Sequence, residues 1–133
     1  MANTFRAAVV TPEASLFDQV VVQAHLPTHD GQRGILYQHA PLLTKLGSGV
    51  LRLQTENGEE RFFVSGGYAQ MLNNELTIIT EHALPANDVT AKIVAAEQTK
   101  LDAITGTSAA DLLARQAAAD RIKAMRLAAN ISI

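Results

Sequence analysis

The chain has 133 residues, with 11 Lys and Arg against 13 Asp and Glu, a net charge of −2, and 47% hydrophobic residues. That suffices for one ordinary core and a small appendage, and it lacks the basic excess that a nucleic-acid binder carries on one face. No cysteine is present, which excludes a disulfide framework, a thiolate metal site and a thiol nucleophile.

Residues 4 to about 84 read as short strands separated by turn residues. Phe5-Arg6-Ala7-Ala8-Val9-Val10 is rich in strand formers, and Thr11-Pro12-Glu13 stops it because proline cannot donate to a ladder. Met1-Ala2-Asn3-Thr4-Phe5-Arg6 lacks a basic region followed by an apolar stretch, and nowhere do about 18 uncharged apolar residues run together. The expectation is a soluble chain without a signal or span, open to peripheral attachment to a membrane complex. After a short Ser15-Leu16-Phe17 segment, the β-branched centre of Gln19-Val20-Val21-Val22-Gln23-Ala24-His25-Leu26 predicts one strand that ends at Pro27.

The run from Asp30 to Gly49 is too apolar for a floppy linker and too broken for one regular element. It reads as a shaped loop, fixed by Leu36, Leu42, Leu43 and Leu46 and displaying Gln32, Arg33, Tyr37, Gln38 and His39. Beyond it, Gly49-Val50-Leu51-Arg52-Leu53-Gln54 alternates. Asn57-Gly58 supplies a hairpin signal, since both positions tolerate positive φ, and leads into Glu60-Arg61-Phe62-Phe63-Val64-Ser65. Gly66-Gly67 permits a sharp redirection into Tyr68-Ala69-Gln70-Met71-Leu72. Asn73-Asn74 then makes a second tight turn into Glu75-Leu76-Thr77-Ile78-Ile79-Thr80. Consecutive hairpins of this size predict an antiparallel β-sandwich, because one sheet cannot cover both of its faces.

The character changes at Leu84-Pro85-Ala86-Asn87-Asp88. Asn87 or Asp88 is expected to cap a helix running to about Ile104, with Val89, Ile93, Ala96, Ala103 and Ile104 on one face. Gly106 suits its end, and Ser108 the start of a second helix from about Ala109 to Asn130. That second helix holds nine alanines and a thin face of Ala114, Ala118, Ile122, Met125 and Ala129. So short a connection predicts an antiparallel hairpin. Alanine gives helix propensity but little burial, so the hairpin is expected to pack weakly and to detach at small cost.

Catalytic chemistry finds little support. His25, His29, His39 and His82 have no metal-ligand spacing. Ser65-Gly66-Gly67 precedes a strand where phosphate loops precede a helix, and it lacks the Gly-x-Ser-x-Gly elbow, so it reads as a β-bulge or tight turn. Glu59 and Glu60 flank a hairpin turn, where solvated charge is the default. The second helix is locally basic, with Arg115, Arg121, Lys123 and Arg126 against Asp111 and Asp120. These charges are either solvated surface or a face for an acidic groove.

Gly31-Gln32-Arg33-Gly34-Ile35-Leu36-Tyr37-Gln38-His39-Ala40-Pro41-Leu42-Leu43-Thr44 resembles the signature loop of the epsilon subunits of F-type proton-translocating ATP synthases. Val64-Ser65-Gly66-Gly67-Tyr68, followed by Asn74-Glu75-Leu76-Thr77-Ile78-Ile79, is similar to that family's second signature, and Val9-Val10-Thr11-Pro12-Glu13 with Leu16-Phe17 also fits. The resemblance implies an α+β chain: a ten-stranded sandwich over residues 1–85, binding gamma and the c-ring, then a regulatory two-helix hairpin over 86–133. It implies a non-catalytic subunit of the rotor stalk that couples proton flow to ATP synthesis. It also implies a tail that rises toward the alpha and beta subunits and restrains ATP hydrolysis.

Carried onto this chain, the resemblance assigns Gly31, Gln32, Arg33, Gly34 and His39 to the c-ring side. It assigns Pro41, Leu42, Leu43, Gly66, Gly67 and Tyr68 to the gamma-facing scaffold, and Asp88, Arg115, Arg121, Lys123 and Arg126 to regulatory tail contacts. Tyr37 and Gln38 replace a Pro-Gly common before the histidine. Some members bind ATP through an Ile/Leu-Asp-x-x-Arg-Ala motif. Here Asp88 is present but Ala91 stands in the arginine's place, so one phosphate fork is missing and no cofactor is expected. The implied location is the cytoplasmic face of a bacterial inner membrane, reached through the complex. The competing reading is an independent carbohydrate- or peptide-binding β-sandwich.

Overall fold

A computed structural model describes residues 3–129. The readings that fall on Met1-Ala2, on Asn130 as the end of the second helix and on 130–133 as part of the hairpin lie outside the described residues.

Ten strands form two five-stranded sheets. They are β1 (Phe5–Val10), β2 (Ser15–Val21), β3 (Gln23–Thr28), β4 (Gly31–Leu36), β5 (Leu42–Lys45), β6 (Ser48–Thr55), β7 (Gly58–Ser65), β8 (Tyr68–Leu72), β9 (Glu75–Ile79) and β10 (His82–Pro85). The first sheet has the order β2-β1-β9-β8-β5 and the second β10-β7-β6-β3-β4. All pairings are antiparallel except β1 with β9. Phe5, Ala7, Val9, Val21, Leu26, Ile35, Leu51, Leu53, Val64, Met71, Leu76 and Ile78 interdigitate between the sheets, and Phe17 meets Phe62 edge-to-face at 5.9 Å.

The single strand expected over Gln19–Leu26 is two. β2 ends at Val21 in the first sheet, Val22 crosses over, and β3 begins at Gln23 in the second. The parity of burial explains the break: Phe17 and Val21 face inward at odd positions, Ala24 and Leu26 at even ones. A continuous pleat would put one pair in solvent. Nor does Pro27 end β3, which continues to Thr28 with Pro27 opposite Gln32.

The expected loop from Asp30 to Gly49 is largely strand. β4 completes the second sheet, a turn at Tyr37-Gln38 follows, and β5 closes the edge of the first sheet. Ile35 and Leu46 anchor it, with Leu42 half-buried. Leu36 and Leu43, expected as anchors, point outward, since alternation along a strand buries only every second side chain.

The β6–β7 connection turns on Glu56-Asn57, one residue earlier than the Asn57-Gly58 expected, and only Gly58 takes positive φ (141°). Asn73 and Asn74 (φ 52° and 62°) do form the tight left-handed turn. The buried Thr80 hydroxyl donates to the Gly66 carbonyl at 2.7 Å and secures the crossover from β7 to β8.

A 3-10 turn at Ala86–Asp88 leads to α1 (Ala91–Asp102) and α2 (Ala109–Ala128). The cap of α1 is Thr90, whose hydroxyl accepts from the Ile93 N–H, and not Asn87 or Asp88, which sit in the 3-10 turn. Ser108 caps α2 as expected. On α1 the buried residue is Val94, while Ala96 and Ala103 of the expected face are exposed. Val89, just before the helix, and Ile93 of the expected face do pack into the second core, Val89 buried and Ile93 partly buried. On α2, Ala118, Ile122 and Met125 are buried as expected, joined by Ala124 and Ala128, whereas Ala114 is exposed. This second core rests on Phe63, Val50 and Leu84, so α2 covers the outer face of β6 and β7.

Candidate functional site

Alternation sends half of every strand's side chains outward, and the two outer faces differ in what covers them. The second sheet carries the helical hairpin. On the first sheet, register aligns Val10, Ile79, Tyr68 and Lys45 in one row and Ala8, Thr77, Gln70 and Leu43 in the next. A third row holds Val20, Arg6, Glu75 and Leu72. Leu43 is 71% exposed, Ile79 58% and Tyr68 55%. Tyr68 and Ile79 are directly opposed, with Val10 on the other side of Ile79, and Leu43 and Leu72 extend this apolar patch among the polar Lys45, Gln70, Thr77 and Glu75. At its border Arg6 forks the Asp18 carboxylate through Nε and Nη2, each at 2.8 Å, and that hydrogen-bonded pair holds the Asp18 carboxyl below its usual range.

Of the residues assigned to the gamma-facing scaffold, Leu43 and Tyr68 lie on this face. Pro41 is exposed just before β5. Leu42 turns inward against the core. Gly66 and Gly67 (φ 77° and 104°) form the crossover between sheets. Ile79 and Leu72, which complete the patch, were missed. Their signal was the register of β8 against β9, where Tyr68 faces Ile79 and Leu72 faces Glu75.

Four of the five residues assigned to the c-ring side share the edge strand β4, and the set does not converge. Gly31, Gln32, Arg33 and Gly34 are exposed along it, and His39 lies beyond its far end. At about 3.3 Å per residue, the ends of β4 are roughly 16 Å apart. At the near end, the Thr28 hydroxyl lies 2.8 Å from the Asp30 carboxylate and also within reach of the Gly31 carbonyl. Its bond to Asp30 lowers that carboxyl's pKa, with the His29 charge adding to the effect. At the far end, His39 Nδ1 is 2.7 Å from the Ala40 carbonyl oxygen. A carbonyl only accepts, so Nδ1 carries the proton and Nε2 is the acceptor of the neutral ring.

Asn74, expected only as a turn residue, also holds this corner through its side chain. The Asn74 side-chain oxygen accepts the Gln38 N–H at 2.8 Å, its amide nitrogen donates to the Thr4 carbonyl at 2.9 Å, and Gln38 itself has φ 56°. The Tyr37-Gln38 turn is thus tied to β1 and to the β8–β9 turn. Asn74→Gly keeps the left-handed backbone but deletes both bonds, and is expected to cost about 1–2 kcal/mol. Asn74→Asp, which keeps the acceptor and loses the donor, should fall between; equal urea midpoints for all three proteins would contradict the clamp.

The five tail residues are dispersed. Asp88 is exposed in the 3-10 turn. Arg115 donates to the Ile104 carbonyl (2.8 Å) and the Gly106 carbonyl (2.9 Å), closing the α1–α2 connection. Arg121 lies 3.8 Å from Glu97 across the two helices. Arg126 is half-exposed in the last turn of α2, and Lys123 is exposed at the rim of a groove between α2 and the second sheet. Where the ATP motif would place its arginine stands Ala91, exposed at the start of α1. Among the described residues no cluster of three His, Asp or Glu could hold a metal ion, and no helix is long and apolar enough to cross a membrane.

A family model described as the ATP synthase delta/epsilon chain beta-sandwich domain matches residues 4–86. An ATP synthase epsilon chain of Rhodopirellula baltica is 41% identical over 96 residues, 69% of this chain and 75% of that protein. Another, of Jannaschia sp., is 35% identical over 117 residues, 84% of this chain and 87% of that protein. Among solved structures, a chain of the Euglena gracilis mitochondrial ATP synthase superposes with a TM-score of 0.81 at 18% identity. It covers 96% of this chain and 82% of that one, a likeness of fold.

Proposed function

This chain belongs to the ATP synthase delta/epsilon family, and from that membership we propose that it is an epsilon subunit of the central stalk, coupling proton flow through the c-ring to ATP synthesis without itself catalysing. The observation that carries the reading is the asymmetry of the two sheets. The second spends its outer face on the chain's own hairpin, whereas the first presents Leu43, Tyr68, Leu72 and Ile79 outward on a rigid support. A torque-bearing subunit needs such a stiff apolar platform, since transmitting force requires an interface that does not yield before its partner does.

Gamma occupies that platform. The edge strand β4, with Gly31, Gln32, Arg33 and Gly34, and the corner bearing His39 face the c-ring. The hairpin is the regulatory element. From α2 its hold on the sandwich is Ile122 and Met125 with the small side chains of Ala124 and Ala128, so it separates at modest cost and reaches the alpha and beta subunits to restrain hydrolysis. The complex sits at the cytoplasmic face of a bacterial inner membrane, and this chain is attached peripherally through its protein partners.

Reconstituted complexes test both parts. Omitting the chain is expected to lower proton pumping per ATP hydrolysed to near background. Removing residues 88–133 is expected to leave pumping intact while raising ATP hydrolysis several-fold, on the order of 1 kcal/mol of released restraint. Normal pumping without the chain removes the coupling role, and unchanged hydrolysis after truncation removes the brake.

A further inference from the structure

α2 does not cover the whole outer face of the second sheet. Beside its C-terminal half runs a groove of about 540 Å³, walled by the sheet on one side and by Lys123, Ala124 and Leu127 on the other. Into it face Arg52 of β6 and Arg61 of β7, which the register sets directly opposite one another. Such cross-strand neighbours have Cβ atoms about 4.5–5.5 Å apart, a spacing at which like charges repel. His25 of β3 continues the row, opposite Arg52. Two carboxylates stand against the three cations. Glu59 approaches Arg61 only at 4.0 Å, and Asp120, on the helix wall, accepts a hydrogen bond from Gln116. Among the described residues neither Arg52 nor Lys123 forms an ion pair. A chain of net charge −2 thus concentrates three cations in one groove at a cost in repulsion, and local choices that oppose stability mark functional places.

We propose that this groove binds a phosphate-bearing anion of two or more phosphate groups, held by the paired Arg52 and Arg61 guanidiniums and by Lys123. Planar guanidinium forks match phosphate oxygens bidentately, and an ammonium adds a point charge from the helix side. A lone carboxylate would neutralise one of the three cations and fill little of the space. The diphosphate chemistry is common to soluble phosphate compounds and to anionic lipid headgroups, and the half-buried Val50 with Ala124 and Leu127 offers an apolar wall for what the phosphates carry. The inference uses the isolated chain and does not depend on its place in a stalk.

The test titrates the full chain with inorganic pyrophosphate at low and at physiological ionic strength, following Arg side-chain N–H resonances, and in parallel measures sedimentation with phosphatidic acid vesicles in a phosphatidylcholine carrier. Pyrophosphate is expected to perturb Arg52 and Arg61 before Arg33 and Arg126. Affinity should fall at least about tenfold in R52Q and in R61Q, with R52K restoring only part because it lacks the fork. Neither glutamine variant should melt below the parent, because each removes a like-charged neighbour. Vesicle binding that R52Q abolishes and pyrophosphate competes away would assign the same site to a lipid headgroup. Pyrophosphate binding without vesicle binding would assign it to a soluble ligand. Binding indifferent to R52Q and R61Q, shifts spread equally over all cations, or no binding in either arm overturns the proposal.

Discussion

Replacing Tyr68 and Ile79 together by aspartate is expected to abolish co-purification with gamma while leaving the chain folded. The two residues oppose each other across β8 and β9, and both are more than half exposed. In the free chain the carboxylates would be solvated, so lost strand preference costs about 1 kcal/mol or less per site, and the repulsion of the directly opposed pair adds about 1 kcal/mol more. In a docked apolar interface the same carboxylates would be buried without partners, and a central hot-spot loss of about 3–5 kcal/mol weakens binding by more than a hundredfold. Arg33→Asp, on the far edge strand, is the control that should leave gamma binding unchanged. A melting scan and a pull-down on the same preparations read both quantities. Retained gamma binding by the folded double variant would remove the first sheet's face from the interface.

Gly67→Ala should be among the most damaging single substitutions to folding, although it adds only one methyl group. Gly66 and Gly67 carry the chain from the second sheet back to the first at φ 77° and 104°. A Cβ on Gly66 meets open space, so Gly66→Ala pays only the left-handed backbone penalty of about 1–2 kcal/mol. A Cβ on Gly67 would lie 2.1 Å from the Ile79 carbonyl oxygen and 2.7 Å from the Thr80 Cα, both backbone atoms that cannot rotate away. The end of β9 would have to move, and Thr80, whose hydroxyl holds the Gly66 carbonyl, would move with it. The combined loss is expected at about 3–4 kcal/mol, or a melting temperature lower by more than about 10 °C. Equal melting losses for the two alanine variants would refute the close approach.

Much of the architecture was legible because it rests on local rules. The strand starts and stops around Val9-Val10-Thr11-Pro12, the left-handed Asn73-Asn74 turn, the crossover at Gly66-Gly67 and the Ser108 cap are all written in a few adjacent residues. The residues Gly31–Thr44 and Val64–Tyr68 carry the family resemblance, and the match over residues 4–86 agrees with it. The failures fall where the deciding partner is distant in sequence. Gln19–Leu26 looks like one β-branched strand, and only the need to bury Val21 in one sheet and Ala24 in the other breaks it at Val22. Leu36 and Leu43 look like anchors, and only the pleat decides that Ile35 and Leu42 take the inward places.

What the sequence determined by itself, then, is the strand-rich part and the two helices after it, several of their turns and caps, and the family, because propensity, capping and turn chemistry act over a few residues. What only the tertiary structure decided is which faces remain uncovered. The Tyr68–Ile79 pair, the opposed Arg52 and Arg61, and the Asn74 clamp from Thr4 to Gln38 each join residues 9 to 70 positions apart. Register and sheet order set those meetings, and both are fixed by the cooperative burial of one core, which no short window of the chain contains.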